Sequence, residues 1–215
     1  NNVSYDVSEV LISCGGKHSL YNIAMALLDK KDEAILPVPY WVSYEEMIKL
    51  AEAKPVFCRT NEKFKLTFDM VEEKITDKTK MIILNSPSNP SGAIVDPTEI
   101  RKIADLAIEH NLYVLSDEVY EHFIYGDSKH LSIASINGEI RSLTIISNSV
   151  SKSYAMTGWR IGYTAANKEI IKAMENLQSH STSNPSNIAQ YAALEALNGP
   201  QDSVKHMVKA FDERR

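Results

Sequence analysis

The chain is poor in the features that mark specialised protein classes. Cysteine is scarce, with Cys14 and Cys58 alone among 215 residues, so no disulfide framework is expected. Both lie in apolar, strand-like runs and are expected to be buried, reduced thiols, which fits a cytoplasmic protein. No apolar run is long enough to span a bilayer, and the polar stretch from Asn1 to Ser8 lacks a signal-peptide pattern. Charge imbalance is small: a net charge of −5 argues against a general nucleic-acid binder and gives no membrane-surface patch. The six histidines show no metal-ligand spacing, so no metal site is expected. Repeats, low-complexity tracts and long charge blocks are absent too. What remains is an ordinary globular composition, 44% hydrophobic and 24% charged, long enough for one large domain or two small ones.

Short apolar runs alternate with longer amphipathic ones. Val10 to Cys14 reads as a buried strand, broken by Gly15-Gly16, and Lys17 to Leu28 carries apolar residues at helical spacing. Strands are predicted at Ala34 to Val38, Val56 to Arg59, Met81 to Leu84, Leu112 to Leu115, Leu143 to Ile146 and Ile161 to Ala165. Between them, helices are predicted at Ser43 to Ala51, Asp69 to Ile75 and Asp96 to His110. In the last of these, the Asp96 cap, Pro97 in the first turn and Glu99 make a capping-box pattern. Three helices fill Lys168 to Arg215, with a break at Asn198-Gly199-Pro200. The alternation implies an α/β fold, a three-layer α/β/α sandwich around a mostly parallel mixed sheet of about seven strands. The strand near Ile161 is expected to run antiparallel, because no crossover helix separates it from the strand ending at Ile146.

Ligands of such sheets bind at the carboxyl ends of the strands. Polar segments follow three predicted strands there: Asn85 to Gly92, then Asp117, Glu118 and Tyr120, then Asn148, Ser149, Ser151 and Lys152. In a parallel sheet they emerge at one edge and bring together an amide, a carboxylate and a lysine. A lysine forms a Schiff base when positioned and partly desolvated, and a carboxylate at a strand end can hold a positive charge on a ring nitrogen. Singly, each has a plainer reading: a solvated lysine, a glycine turn, strand-end polarity at Asp117, a core Trp41, a turn-building Asn89, an ion-paired Arg160. All of these plainer readings would have to coincide in one ordered pattern.

The segments SCGGKHSLYN, PVPYWVSY, NSPSNPSGAI, LSDEVYEHFIY, SNSVSKSYAMTGWRIGY and SNPSNIAQYAALEAL carry a resemblance along nearly the whole chain. The sequence resembles the class I, fold-type I aminotransferases that depend on pyridoxal phosphate, most closely their prokaryotic aspartate aminotransferase branch. The resemblance implies that Lys152 holds the cofactor as a Schiff base and carries the proton during transamination. It implies that Asp117 pairs with the ring nitrogen, that Tyr120 and Asn89 bond the ring's phenolic oxygen, and that Trp41 stacks on the ring. The phosphate would sit on Gly15, Gly16 and the following helix start, with Ser149 and Arg160 completing the cup. Lys17 is either a contact to the distal carboxylate of an acidic substrate or a surface lysine near the phosphate. His18, Tyr40, His122 and Tyr125 are assigned no chemistry.

The resemblance also implies amino-acid and 2-oxo-acid substrates and a homodimer in the complete enzyme. Residues 1–215 are expected to form the cofactor-binding large domain, without the upstream arm and the C-terminal small domain of the family. The arginine that grips the substrate α-carboxylate has no counterpart here, so these residues alone are expected to turn over little. An aromatic or alanine-type aminotransferase, a lyase of the same fold, or a cofactor-binding core without turnover are the alternatives left open.

Overall fold

The computed structural model describes residues 2–215. Its centre is a seven-stranded sheet of order β1-β7-β6-β5-β4-β2-β3. The strands are β1 (Val10–Ser13), β2 (Glu33–Val38), β3 (Lys54–Arg59), β4 (Thr79–Asn85), β5 (Tyr113–Asp117), β6 (Thr144–Ser149) and β7 (Gly162–Ala165). Strands β2 to β6 pair in parallel, while β7 runs antiparallel to both β1 and β6, as its missing crossover required.

The helices are α1 (Gly16–Leu27), α2 (Ser43–Leu50), α3 (Phe68–Glu72), α4 (Pro97–Glu109), α5 (Gly138–Leu143), α6 (Val150–Ser153), α7 (Lys168–Ser179), α8 (Asn187–Asn198) and α9 (Asp202–Asp212). Adjacent residues of a strand point to opposite faces, so continuous apolar strands feed two cores. Ala34, Leu36, Met81 and Ile83 pack with Leu20 and Ile23 of α1, Ile48 of α2 and Met174 of α7. Their neighbours Ile35, Ile82, Leu84 and Val114 pack with Val71 of α3, Ile103 of α4 and Ile140 of α5. The result is the three-layer sandwich expected. No helix among the described residues is long and apolar enough to cross a membrane.

Two local expectations are corrected. At the start of α4, Asp96 accepts from the N–H of Thr98 at 2.8 Å, one residue short of the capping-box partner. Glu99 turns away and accepts from the N–H of Phe68 at 2.6 Å, tying α3 to α4. A tertiary donor at the head of α3 thus outcompetes the local reciprocal bond. Of the two free thiols, Cys58 is buried but Cys14 is half-buried, because β1 ends at Ser13 and Cys14 already belongs to the turn.

The fold aligns the site through its register. Asn85 pairs with Asp117 and Asp117 with Ser147, so three polar residues form one row at the carboxyl ends of β4, β5 and β6. The chain steps outward from β2 to β3 and returns to β4 on the other side of β2, the reversal at which such sheets open a crevice. On β7, Gly162 lies against the turn that opens α1: a Cβ there would meet the Gly16 nitrogen at 2.3 Å and the Gly15 carbonyl carbon at 2.4 Å. Both are backbone atoms and cannot swing aside. Gly162→Ala is therefore expected to destabilise the protein by about 1–3 kcal/mol or more. Gly158→Ala, with open space around it, is expected to be near neutral. Urea unfolding of the two variants side by side checks the contrast.

Candidate active site

A cavity of about 250 Å³ lies beyond the carboxyl ends of β4, β5 and β6. Its wall includes Gly16, Lys17, Trp41, Asn89, Asp117, Tyr120, Ser149, Lys152 and Arg160, so nine of the ten residues singled out in the sequence meet there. The tenth, Gly15, is the buried cap of α1 just behind them.

One end suits an anion. Gly15 has φ 88° and ψ 158°, a backbone state essentially reserved for glycine, and it aims the start of α1 at the cavity. The first N–H groups of a helix have no carbonyl one turn earlier, and the helix dipole favours negative charge there. Arg160 stands over this turn, where a Cβ on Gly15 would lie 2.1 Å from its Nη2. Arg160 is itself left-handed at φ 56°, and its Nη1 donates to the Thr157 carbonyl at 2.7 Å, which aims the guanidinium. Ser149 caps α6, its hydroxyl oxygen accepting from the Ser151 N–H at 3.3 Å, so its proton remains available to a ligand.

The other end is a buried acid. Asp117 is 5% exposed at the end of β5. One carboxylate oxygen accepts the Tyr44 hydroxyl at 2.5 Å and the other the Val119 N–H at 3.3 Å. Burial pushes its carboxyl up to about 6 from 3.8, against the pull of those two bonds, and the Glu118 charge adds slightly. Burial and the Asp117 charge likewise hold the Tyr44 phenol well above its ordinary value, so the proton stays on tyrosine.

Between these ends lie the lysine and its neighbours. Lys152 Nζ is 5.8 Å from the centroid of the Tyr120 ring. The lysine is exposed at the cavity mouth: the flanking Val150, Ser151 and Ser153 are buried, but the side chain between them is not covered. Lys17 Nζ sits 4.9 Å from the Trp41 ring centroid, and the Trp41 and Tyr44 rings meet edge to face at 5.4 Å. The Asn89 N–H donates to Asn85 Oδ1 at 2.7 Å, and Asn85 Nδ2 donates to the Asp117 carbonyl at 3.1 Å. Asn85 thus locks the Asn89 loop to the Asp117 strand end.

Tyr44, Asn85 and Gly162 were not singled out from the sequence. Tyr44 lies three residues beyond Trp41, at a position that reads as the buried face of α2, so its hydroxyl was hidden by its apolar ring. Asn85 was legible as the first polar residue after an apolar strand.

The doubly wound sheet carries an anion cradle, a buried acid and a lysine around one cavity at its strand ends, and comparison identifies the family. The profile of the family "Aminotransferase class I and II" matches residues 1–215, and the chain belongs to that family. It is 49% identical to an aspartate aminotransferase of Bacillus sp. strain YM-2, over all of this chain and 55% of that protein. Its fold matches the aspartate aminotransferase of Rhizobium meliloti with TM-score 0.96 at 41% identity, over 100% of this chain and 54% of that one. An aromatic aminotransferase of Pyrococcus horikoshii matches with TM-score 0.97 at 40% identity, over 100% of this chain and 58% of that one. The chain spans about half the length of the curated relatives it matches.

Because folding raises the Asp117 pKa from 3.8 to about 6, the ionised carboxylate opposes folding in full above pH 6. That opposition fades as pH falls from 6 to 3.8, where the unfolded chain is protonated too. A shift of this size corresponds to about 3 kcal/mol at most. Asp117→Asn, which keeps an acceptor for Tyr44, is expected to stabilise the ligand-free protein by about 1–3 kcal/mol at pH 8 and hardly at all at pH 4. Denaturant unfolding at both pH values checks this.

Proposed function

We propose that the protein carrying this chain is a pyridoxal-phosphate-dependent aminotransferase. In this reading it moves an amino group between an acidic amino acid, aspartate or glutamate, and a 2-oxo acid. The convergence of an anion cradle, a lysine and a buried carboxylate around one cavity carries the reading.

The residues present fit the cofactor. Gly15 lets the Arg160 guanidinium lie against the start of α1, where a Cβ would collide with it, so a cation and free helix N–H groups meet at one end of the cavity. Asp117 is a desolvated acid with no cationic partner among the described residues, which is the environment that favours a protonated ring nitrogen. Trp41 offers a ring face, and Asn89 and Tyr120 offer polar groups, along the wall between the two ends. When bound, pyridoxal phosphate supplies an aldehyde that links covalently to an amine and an electron-withdrawing ring.

The chain's own residues then divide the work. Gly16, Ser149 and Arg160 bind the phosphate and fix the position of everything attached to it. Asp117, held by Tyr44 and Val119, keeps a proton on the ring nitrogen by charge pairing. Lys152 Nζ is the amine that would hold the cofactor's aldehyde carbon, and as a free amine it would carry the proton between the substrate Cα and that carbon. Asn89 and Tyr120 hydrogen-bond the phenolic oxygen, and Trp41 covers one ring face.

The acidic substrate is supported by Lys17, whose ammonium is held over Trp41 at the cavity rim, and by the aspartate aminotransferases among the relatives. A homodimer is supported by α8, where Ile188, Tyr191, Leu194 and Leu197 repeat at helical spacing and are all exposed. A partner would also desolvate the open cavity mouth. The free thiols of Cys14 and Cys58 fit a cytoplasmic location.

Borohydride reduction of the protein after addition of pyridoxal phosphate is expected to fix the cofactor on the peptide containing Lys152, and Lys152→Ala to abolish that product. Label spread over surface lysines without Lys152 removes the assignment. For Lys17, the cofactor-loaded protein provides the test. Lys17→Ser is expected to weaken a dicarboxylate substrate analogue by about 1.5–3 kcal/mol and to spare a monocarboxylate one. Equal losses for both assign Lys17 to the phosphate instead.

A further inference from the structure

Behind Ser149 lies a side-chain pair that the proposed machinery does not use. Glu121 Oε1 accepts from Asn148 Nδ2 at 2.6 Å, and Asn148 Oδ1 accepts from the Ser149 N–H at 2.7 Å. Asn148 is 5% exposed, and the side chain of Glu121 14%. The sheet shows why the pair is needed. β6 runs on to Ser149, past Ser147, its last register partner on β5. The Val150 N–H donates to the Ile161 carbonyl, on the β7 side, at 3.3 Å, and successive N–H groups of a strand point to opposite sides. The Ser149 N–H therefore faces the side on which β5 has already ended, and β5 offers it no pairing there. Asn148 supplies the missing acceptor from its own side chain.

Glu121 fixes which way Asn148 faces. A carboxylate accepts only, so the amide must turn Nδ2 toward Glu121 and Oδ1 toward Ser149. A bond to a charged acceptor is also stronger than one between neutral groups. Ser149, so held, caps α6 through Ser151 at 3.3 Å and lies against the start of α1, where a Cβ on Gly16 would sit 3.4 Å from the Ser149 Cβ. The two sides of the anion cradle meet at that contact. Glu121 directly follows Tyr120, so one hydrogen bond ties the Tyr120 segment to the strand end that leads into Lys152. His122 Nε2 lies 3.9 Å from the same Glu121 oxygen and is the more exposed partner. We propose that Glu121 is a positioning residue that, through Asn148, sets Ser149 and the start of α6 for the cofactor's phosphate. The proposal rests on the pyridoxal-phosphate reading above and adds to it a residue that does not line the cavity.

The test is calorimetric titration of the complete protein carrying this chain with pyridoxamine phosphate. This probe has the phosphate and the ring but no aldehyde, so its binding does not depend on a bond to Lys152. Glu121→Leu is expected to weaken binding at least about 5-fold. Charge alone predicts the opposite, because removing an acid near an anion site favours the anion. Asn148→Asp sets two carboxylates face to face and is expected to weaken binding about 10-fold or more. Adding Glu121→Gln to Asn148→Asp reverses the pair, with the amide now donating from position 121, and is expected to restore affinity to within about 3-fold of the parent. Direct repulsion of the phosphate by the introduced aspartate would persist in the double variant. His122→Gln is expected to leave binding unchanged. Unchanged or tighter binding by Glu121→Leu overturns the proposal, and so does a double variant that binds no better than Asn148→Asp. Where Glu121→Leu does not fold, as melting curves show, the reversed pair decides alone. A parent protein that does not bind the probe overturns the pyridoxal-phosphate reading and the proposal with it.

Discussion

The burial of a carboxylate at the end of β5 is the constraint around which this structure is arranged. A charged group in a dry site is costly, and the chain keeps Asp117 there with only two direct donors, one from α2 and one from its own turn. Those donors are too few to hold its pKa at the ordinary value, as the rise to about 6 shows. A neutral residue would fold better there, and in the proposed reading the acid represents stability given up for a cationic ring. The position of α2 follows from the same demand. Its Tyr44 must reach the carboxylate, and that brings Trp41, one turn earlier, to the cavity wall.

The anion cradle at the other end depends on a close approach between segments far apart in sequence. Gly162 on β7 lets the Gly15-Gly16 turn lie directly on the sheet, and the space above Gly15 admits the Arg160 guanidinium. The two motifs separated by more than half of the chain are therefore a single packing unit. A side chain at either glycine position would displace the helix start or the arginine, and both face the same ligand oxygen atoms in the proposed reading. The antiparallel β7 is what makes this possible: it returns immediately from β6, so Ser149 and Gly162 are register partners and Arg160 lies in the short connection between them.

Much of this was legible in the chain. Apolar runs of strand length separated by amphipathic stretches define the layers, and the lack of a crossover before Ile161 defines the one reversed direction on that side. The site residues announced themselves as polar segments immediately after buried strands, since only strand ends in such a sheet can place them together. What stayed hidden required knowledge of distance. Tyr44 looks like a core aromatic until its hydroxyl is seen to reach Asp117. Glu99 looks like a capping partner until Phe68 is seen to be nearer.

Lys152 shows how a rigid scaffold can present a mobile group. It lies on α6, a single turn of helix, where Val150, Ser151 and Ser153 are all buried and Ser149 caps the first turn. The backbone is thereby fixed to the sheet end through residues on both sides. The lysine side chain alone is exposed, reaching the cavity wall with Nζ 5.8 Å from the centroid of the Tyr120 ring. In the proposed reading, an amine that attaches to a ligand, lets go and then carries a proton between two carbon atoms on either side of a nitrogen needs both properties. A buried, hydrogen-bonded lysine would be too constrained to move, and one on a mobile loop would lose the geometry that makes transfer fast. In the proposed reading, the buried acid at the end of β5 and the exposed amine on the helix after β6 are opposite solutions, one held still to fix a charge and the other left uncovered to carry a proton.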